Sequence, residues 1–203
     1  MKAILASCQK VLARQVAKNS IVMKFCSQCG KPVEHRTPEG DNRPRHICEH
    51  CETIHYHNPK IIAGCLPVWE DKILLCKRAI EPRYGLWTLP AGFMENDETL
   101  EQAAERESLE EANTNLSIDN LYTIISLPHV NQVYIMFRAQ LNDLKFAPGI
   151  ESLEVELFKE SQIPWKELAF GTIQMTLDLF FEDRKNGVFP VHTRTIDNRN
   201  LNR

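Results

Sequence analysis

The sequence predicts an α/β fold, a largely β centre flanked by helices with a small metal-held module ahead of it, and three observations carry that prediction. Two Cys-x2-Cys pairs, Cys26/Cys29 and Cys48/Cys51, stand 18 residues apart in a stretch poor in large aliphatics. Short aliphatic runs bounded by turn residues then recur between Ile61 and Phe158, the pattern of hairpin strands. Two long helical patterns, one opening after Thr99 and one stopping at Gly187, complete the alternation of β and α.

Composition bounds the function. A chain of 203 residues holds one domain with a substantial core plus a small appendage. The formal net charge of −3 gives no electrostatic reason for general nucleic-acid or membrane-surface binding. The longest apolar run, "IIAGCLPVW" from Ile61, contains Gly and Pro and is about half of the ~20 residues a membrane span requires. A soluble, cytoplasmic protein with no membrane partner is the expectation.

Residues 1–22 carry Lys2, Lys10, Arg14 and Lys18 and no acid, which is compatible with an organelle-targeting segment. A second Met at 23 opens directly into the first cysteine pair, so a flexible extension is the expectation. Residues 23–58 form the next unit. Two short knuckles at this spacing present four thiolates, Cys26, Cys29, Cys48 and Cys51, to one tetrahedral ion, which reads as a structural Zn2+ ribbon. Paired disulfides or a redox motif are the alternatives, but no export signal is seen and two matched knuckles exceed redox needs. His46, His50, His55 and His57 are substitute ligands in principle; with four cysteines at hand they are read as surface or interdomain residues. Between Lys24 and Lys60 six Lys or Arg face five Asp or Glu, a near balance that weighs against a nucleic-acid clamp.

Residues 59–190 form the main domain, followed by a tail, 191–203. "IIAGCLPVW" and "KILLCKR", separated by "ED", read as a hairpin, and "GLWTLPAGF" as a further extended stretch. Thr99 with Gln102 three residues later makes a capping box at the start of a long helix. Strands are expected at "LYTIISL", "QVYIMFRAQL" and "LEVELF". Helices are expected near "PWKEL" and over "TIQMTLDLFFEDRK", the latter stopped by Gly187. Cys65 and Cys76 fall in apolar runs and read as buried, inert thiols.

The stretch "RESLEEANT" crowds Glu107, Glu110 and Glu111 onto one helix. Like charges three or four residues apart each cost roughly 0.2–0.5 kcal/mol, so something must compensate. Glu107 and Glu111 lie one turn apart on the side of Leu100, Ala103 and Ala104, which should face inward. Carboxylates on such a face must be neutralised, paired or bound to metal. Glu98, Glu101 and Glu105 project roughly the other way and fit a solvated surface.

The segment Gly92-x5-Glu98-x7-Arg106-Glu107-x2-Glu110-Glu111 resembles the signature of the Nudix hydrolases, a box of 23 positions that starts here at Gly92. Three positions depart from it: Ser108 and Thr114 stand where aliphatics are usual, and Asn113 replaces a late glycine while remaining able to leave the helix left-handed. The resemblance implies a Nudix α/β/α sandwich with a mixed β-sheet preceded by a small zinc ribbon. It implies Mg2+ or Mn2+ held by Glu107, Glu111 and Glu110, with the Ala91 carbonyl completing the shell. Arg106 would pair with Glu98 or a catalytic glutamate, and water activated by a glutamate would attack phosphorus in line to release a nucleoside monophosphate. Glu151 and Glu154 are candidates for a further acid, and His129 for a general base.

A ribbon directly ahead of such a domain resembles two groups, NADH pyrophosphatases with their relatives that remove NAD caps from RNA, and ribbon-bearing ADP-ribose and FAD pyrophosphatases. The NADH type carries a Ser-Gln-Pro-Trp-Pro-Phe-Pro array after the box, and the corresponding region here is "SLPHVNQVY". Pro128, 15 positions past Asn113, matches a proline associated with ADP-ribose hydrolases. The expected activity is therefore hydrolysis of a dinucleotide pyrophosphate, ADP-ribose or FAD, to AMP and a phosphorylated remainder. NADH or capped-RNA hydrolysis is the alternative, to which Arg194, Arg199 and Arg203 lend slight support. A non-catalytic ligand sensor is a second alternative. Similar enzymes are frequently homodimers, and a homodimer is allowed. Tyr84, Trp87 and Tyr134 are aromatics that could stack on a base; no substrate-binding residue is assigned.

Overall fold

Residues 23–197 are described by the computed structural model, in two units that divide between Asn58 and Pro59. The expected N-terminal extension, 1–22, and the last part of the expected tail, 198–203, lie outside the described residues. No helix of the described residues is long and apolar enough to cross a membrane.

The first unit is a three-stranded antiparallel sheet of β1 (Glu34–Arg36), β2 (Arg45–Ile47) and β3 (Ile54–His55). Its two knuckles are built alike. The residue following each cysteine pair, Gly30 and Glu52, adopts a left-handed conformation (φ 71° and 57°) that turns the chain back. Cys26 N donates to Lys31 O at 2.7 Å, and Cys48 N to Thr53 O at 3.0 Å, closing the turns. Cys26, Ile47 and Cys48 are its only buried hydrophobic residues among those described. So small an apolar core cannot offset the conformational entropy of some 35 residues, and a cross-link must.

The second unit carries an eight-stranded mixed sheet. Along its main path the order is β10 (Ser152–Lys159), β5 (Lys72–Arg78), β4 (Lys60–Trp69), β9 (Gln132–Leu141), β8 (Leu116–Leu127), β11 (His192–Thr195). The β4–β5 hairpin pairs only at its tip, through Val68–Ile73 and Trp69–Lys72. Beyond the tip the strands part, and the "GLWTLPAGF" stretch fills the opening. There β6 (Trp87–Thr88) pairs with β5 and β7 (Ala91–Phe93) pairs with β4.

Strict alternation sends the two faces of β4 and β9 to different cores. Ala63, Cys65, Ile135, Phe137 and Ala139 meet Ala103 and Ala104 of α1 (Leu100–Ala112). Leu66, Val68 and Met136 meet Ile173, Leu177, Phe180 and Phe181 of α2 (Gly171–Asn186) on the other side. The result is the α/β/α sandwich. The α1 face is lined by Ala103, Ala104, Ser108 and Ala112, and these small residues let the helix lie close to the sheet: the Cys65 thiol reaches the Ala104 carbonyl at 3.6 Å. Ser108 and Thr114, the two polar departures from the box, donate to Ala104 O (2.7 Å) and Ser108 O (2.9 Å), so their burial leaves neither hydroxyl unsatisfied. Thr99 and Gln102 form the expected capping box, and Gly187 ends α2 at φ 68°.

Three boundaries differ from the sequence reading. The helix expected near "PWKEL" is a three-residue 3₁₀ turn, Trp165–Glu167, because Leu168 is drawn into extended backbone beside Trp87 and Ala169 N donates to Trp87 O at 2.8 Å. Strand β8 begins five residues before "LYTIISL", at Leu116. Residues 192–195, expected as tail, form β11 parallel to β8. Its side chains are mostly exposed, so backbone pairing rather than an apolar pattern makes it a strand.

Candidate active site and metal centres

The parted hairpin brings the main-domain residues together. By filling the gap between β4 and β5, the β6–β7 stretch carries Ala91 and Gly92 beneath α1. The approach is so close that a Cβ on Gly92 would collide with the Glu107 carboxylate, and a Cβ on Gly64 with Ala91 and the Pro90 carbonyl. Gly92→Ala is therefore expected to displace Glu107, weakening Mn2+ binding in a calorimetric titration at least tenfold while the far-UV spectrum stays unchanged; equal affinity would show that the glycine has no part in the site.

Arg106 holds the acids in place. Its Nε and Nη2 grip Glu98 at 3.0 and 2.8 Å, Nη1 donates to Glu107 at 2.7 Å and to Glu110 at 3.2 Å, and Nη2 also donates to the Phe93 carbonyl at 3.1 Å. One guanidinium thus partly neutralises three carboxylates, which answers some of the like-charge crowding. Glu98 is not the solvated surface acid that the helical wheel suggests; it makes the pair with Arg106 that the resemblance implies. Its bidentate pairing with Arg106 and the Glu95 amide hold its carboxyl down at about 2. Glu107 moves the other way: burial raises its pKa, Arg106 opposes the rise, and Glu110 and Glu151 add to it.

Glu111 lies deepest. It is 6% exposed and has no cationic ion-pair partner among the described residues; its Oε2 accepts from the Ala91 amide at 3.2 Å. Burial pushes its carboxyl up to about 8, the Ala91 amide and Arg78 oppose the shift, and Glu107 and Glu151 reinforce it. A buried carboxyl facing two other acids is a group short of positive charge.

These residues line a cleft of about 1610 Å³. Of the two candidate additional acids, the structure places Glu151 in the cleft and Glu154 outside it, where Glu154 pairs with Lys77 at 2.7 Å across β10 and β5. His129 lines the cleft, and its buried Nδ1 has no hydrogen-bond partner among the described residues. Of the three aromatics, only Tyr134 lines the cleft; Trp87 is buried edge-on to Phe158, and Tyr84 is exposed. Sequence reasoning missed Arg78 and Phe170. The Arg78 guanidinium lies 5.2 Å from the Phe170 ring centre at the cleft wall, and only the Lys-Arg ending of "KILLCKR" hinted at it.

In the first unit, Cys26, Cys29, Cys48 and Cys51 offer ligand atoms all within 4.8 Å of one another, and no histidine belongs to the group. The Cys26–Cys51 and Cys29–Cys48 sulfur separations are 3.6 and 3.4 Å. Four thiolates at the ~2.3 Å Zn–S distance of a tetrahedral site lie ~3.8 Å apart, so the group fits zinc and the four thiols are too far apart to be disulfides.

The comparisons with known proteins accord with this geometry. Residues 24–57 match the "Nudix N-terminal" zinc-ribbon family and residues 58–175 the NUDIX domain family. A crystal structure of a NUDIX hydrolase from Nitrosomonas europaea is 59% identical, with a TM-score of 0.84 over 86% of this chain and 99% of that one. The NAD-capped RNA hydrolase NudC of Edwardsiella ictaluri (strain 93-146) is 36% identical over 107 residues, 52% of this chain and 38% of the relative, so the match spans about two fifths of that protein's length. An ADP-ribose pyrophosphatase from Streptococcus suis shares the fold at 21% identity and a TM-score of 0.54, over 68% of this chain and 100% of that one. The match over more than half its length, on a sandwich whose parted hairpin carries a glycine under an Arg-Glu and a Glu pair, means that this chain belongs to the NUDIX family and bears that family's N-terminal zinc ribbon.

Proposed function

We propose that the protein is a metal-dependent pyrophosphatase that cleaves a dinucleotide pyrophosphate, with ADP-ribose or FAD as favoured substrate, to AMP and a phosphorylated remainder. One observation carries the reading: Glu111 is buried, feels the charges of Glu107 and Glu151, and has no ion-pair partner among the described residues, an arrangement that a divalent cation completes. The all-oxygen donors Glu107, Glu111, Glu110 and Glu151, with the Ala91 carbonyl, suit Mg2+ or Mn2+. When bound, such a cation supplies charge neutralisation and Lewis acidity toward the phosphate oxygens.

The chain's own residues do the rest. Arg106 keeps Glu107 and Glu110 in register and leaves Glu111 free to coordinate. Arg78, its guanidinium over the Phe170 ring, lines the cleft as a donor for a phosphate oxygen. A cleft carboxylate receives the proton of the attacking water; the new O–P bond forms as the anhydride P–O bond breaks, and its electron pair leaves with the nucleoside monophosphate. Glu151→Gln is expected to lower kcat by about a hundredfold, whereas Glu154→Gln, which removes only a half-exposed pair with Lys77, changes it less than twofold. Equal effects would discard the assignment of Glu151.

A second reading has its own support. NudC relatives, 36% to 39% identical over about half of this chain, bear the name NAD-capped RNA hydrolase. The deciding experiment incubates the protein with ADP-ribose, FAD, NADH and NAD-capped RNA in Mg2+ or Mn2+ and resolves the products by chromatography. AMP from ADP-ribose or FAD at the highest kcat/KM is the expected result. Fastest turnover of the capped RNA transfers the protein to the second reading, and tight binding of one compound with none cleaved makes it a sensor.

A further inference from the structure

The loop between β9 and β10 closes the C-terminal end of the carboxylate helix. Two of the last carbonyls of α1 accept from it: Ala147 N donates to Ala112 O at 2.9 Å and Gly149 N to Glu111 O at 3.0 Å. Backbone meets backbone there, since a Cβ on Gly149 would run into the Glu110 carbonyl oxygen. The third link is a side chain. Asn113, at the position where the resembling box carries glycine, leaves the helix at φ 49° and ψ 36° and donates through Nδ2 to Ala147 O at 3.0 Å and Pro148 O at 3.4 Å. Glycine tolerates the same backbone angles and makes neither bond.

Immediately past the clamped segment the chain reaches the cleft. Ile150, 98% exposed, stands at its mouth, and Glu151 lines it. The Glu151 carbonyl accepts from Ala79 N at 2.8 Å, pinning the far end of the loop beside β5. The same helix end thus presents Glu111 and anchors the loop that presents Glu151. Two carboxylates from segments 40 residues apart can converge on one ion only if those segments keep register to about 0.5 Å.

We propose that Asn113 is a positioning residue: its carboxamide clamps residues 147–149 to the end of α1 and thereby holds Glu151 in the cation-binding set with Glu107 and Glu111. This rests on the reading of those acids as a cation site. In place of the usual glycine, the chain has a residue that keeps the left-handed exit and adds a tether.

The test is a double-mutant cycle in the full chain with Asn113→Gly, Glu151→Gln and both together, read by Mn2+ titration, by hydrogen exchange of the 147–151 amides, and by kcat and KM. Asn113→Gly is expected to speed exchange at Ala147 and Gly149, weaken Mn2+ binding about fivefold, the worth of one net hydrogen bond, and lower kcat with KM little changed. In the Glu151→Gln background the same change should leave Mn2+ affinity unaltered. Asn113→Asp, which keeps a short side chain tolerant of this conformation and loses the amide donor, should act in the same direction and guards against loss of the fold. Unchanged Mn2+ affinity in Asn113→Gly, or an effect as large without Glu151 as with it, overturns the clamp. Wild-type protein that binds Mn2+ but cleaves no dinucleotide overturns the proposed activity while the Mn2+ cycle still decides the clamp; wild-type protein that binds no Mn2+ overturns both.

Discussion

Glu111→Gln is expected to lose cation-dependent hydrolysis by on the order of a thousandfold or more, since a carboxylate withdrawn from a cation site forfeits several kcal/mol of transition-state stabilisation at ~1.4 kcal/mol per factor of ten. The fold should survive, and in alkaline buffer the metal-free variant should melt above the wild type. Burial holds the Glu111 carboxyl at about 8 against an ordinary 4.5. Between those values the folded chain keeps a proton that the unfolded chain releases, so metal-free wild type loses stability as pH rises through that window and levels off above 8. Glutamine carries no such proton, and its Oε1 can still accept from the Ala91 amide. A divalent cation reverses the trend by taking the proton's place, so cation affinity should climb with pH up to about 8. Melting curves from pH 5 to 9, with and without Mn2+, check all of this: a falling wild-type Tm rescued by Mn2+, and at pH 8 a variant ~5 °C more stable and indifferent to the ion. A variant that melts far below wild type at every pH, or that still responds fully to Mn2+, would contradict the assignment.

Cys48→Ser should act on the other unit and by another physics. Cys48 is fully buried in a module with almost no apolar core, and structural zinc in small ribbons contributes ~10–16 kcal/mol of folding free energy. Zinc content is expected to fall from one per chain toward zero, with loss of hydrogen-exchange protection across residues 24–57. The unfolding transition of residues 59–197 should persist, because among the described residues its hydrophobic clusters are made of residues after Pro59. One zinc per chain retained in the variant would dismiss the four-cysteine assignment.

The two centres were legible in the sequence to different depths. Cys-x2-Cys twice over specifies a tetrahedral site almost by itself, because each knuckle closes locally and only two of them need to meet. On α1, the inward side of Glu107 and Glu111 followed from helical periodicity, a local property that 3.6 residues per turn makes readable, the capping box from the residue types at Thr99 and Gln102, and the left-handed exit at Asn113 from the resemblance to the box. The wheel put Glu98 on a solvated surface because it extends a helical direction to a residue that lies ahead of the Thr99 cap, whereas the resemblance to the box implied the pair with Arg106 that the structure has.

By itself, then, the sequence determined a four-cysteine ribbon and a carboxylate helix with two acids on its inward side, because spacing along one element is written in one stretch of chain; the sandwich came only through the resemblance to the Nudix box. Only the tertiary structure decided that β4 and β5 part to seat Gly92 under Glu107, that Glu151 faces the cleft while Glu154 pairs with Lys77, that residues 192–195 add the edge strand beside β8, and that Asn113 bonds to a loop more than thirty residues away. Each of these depends on contacts between distant segments, whose geometry is set by how the two cores pack on the sheet and leaves no periodic trace in the chain.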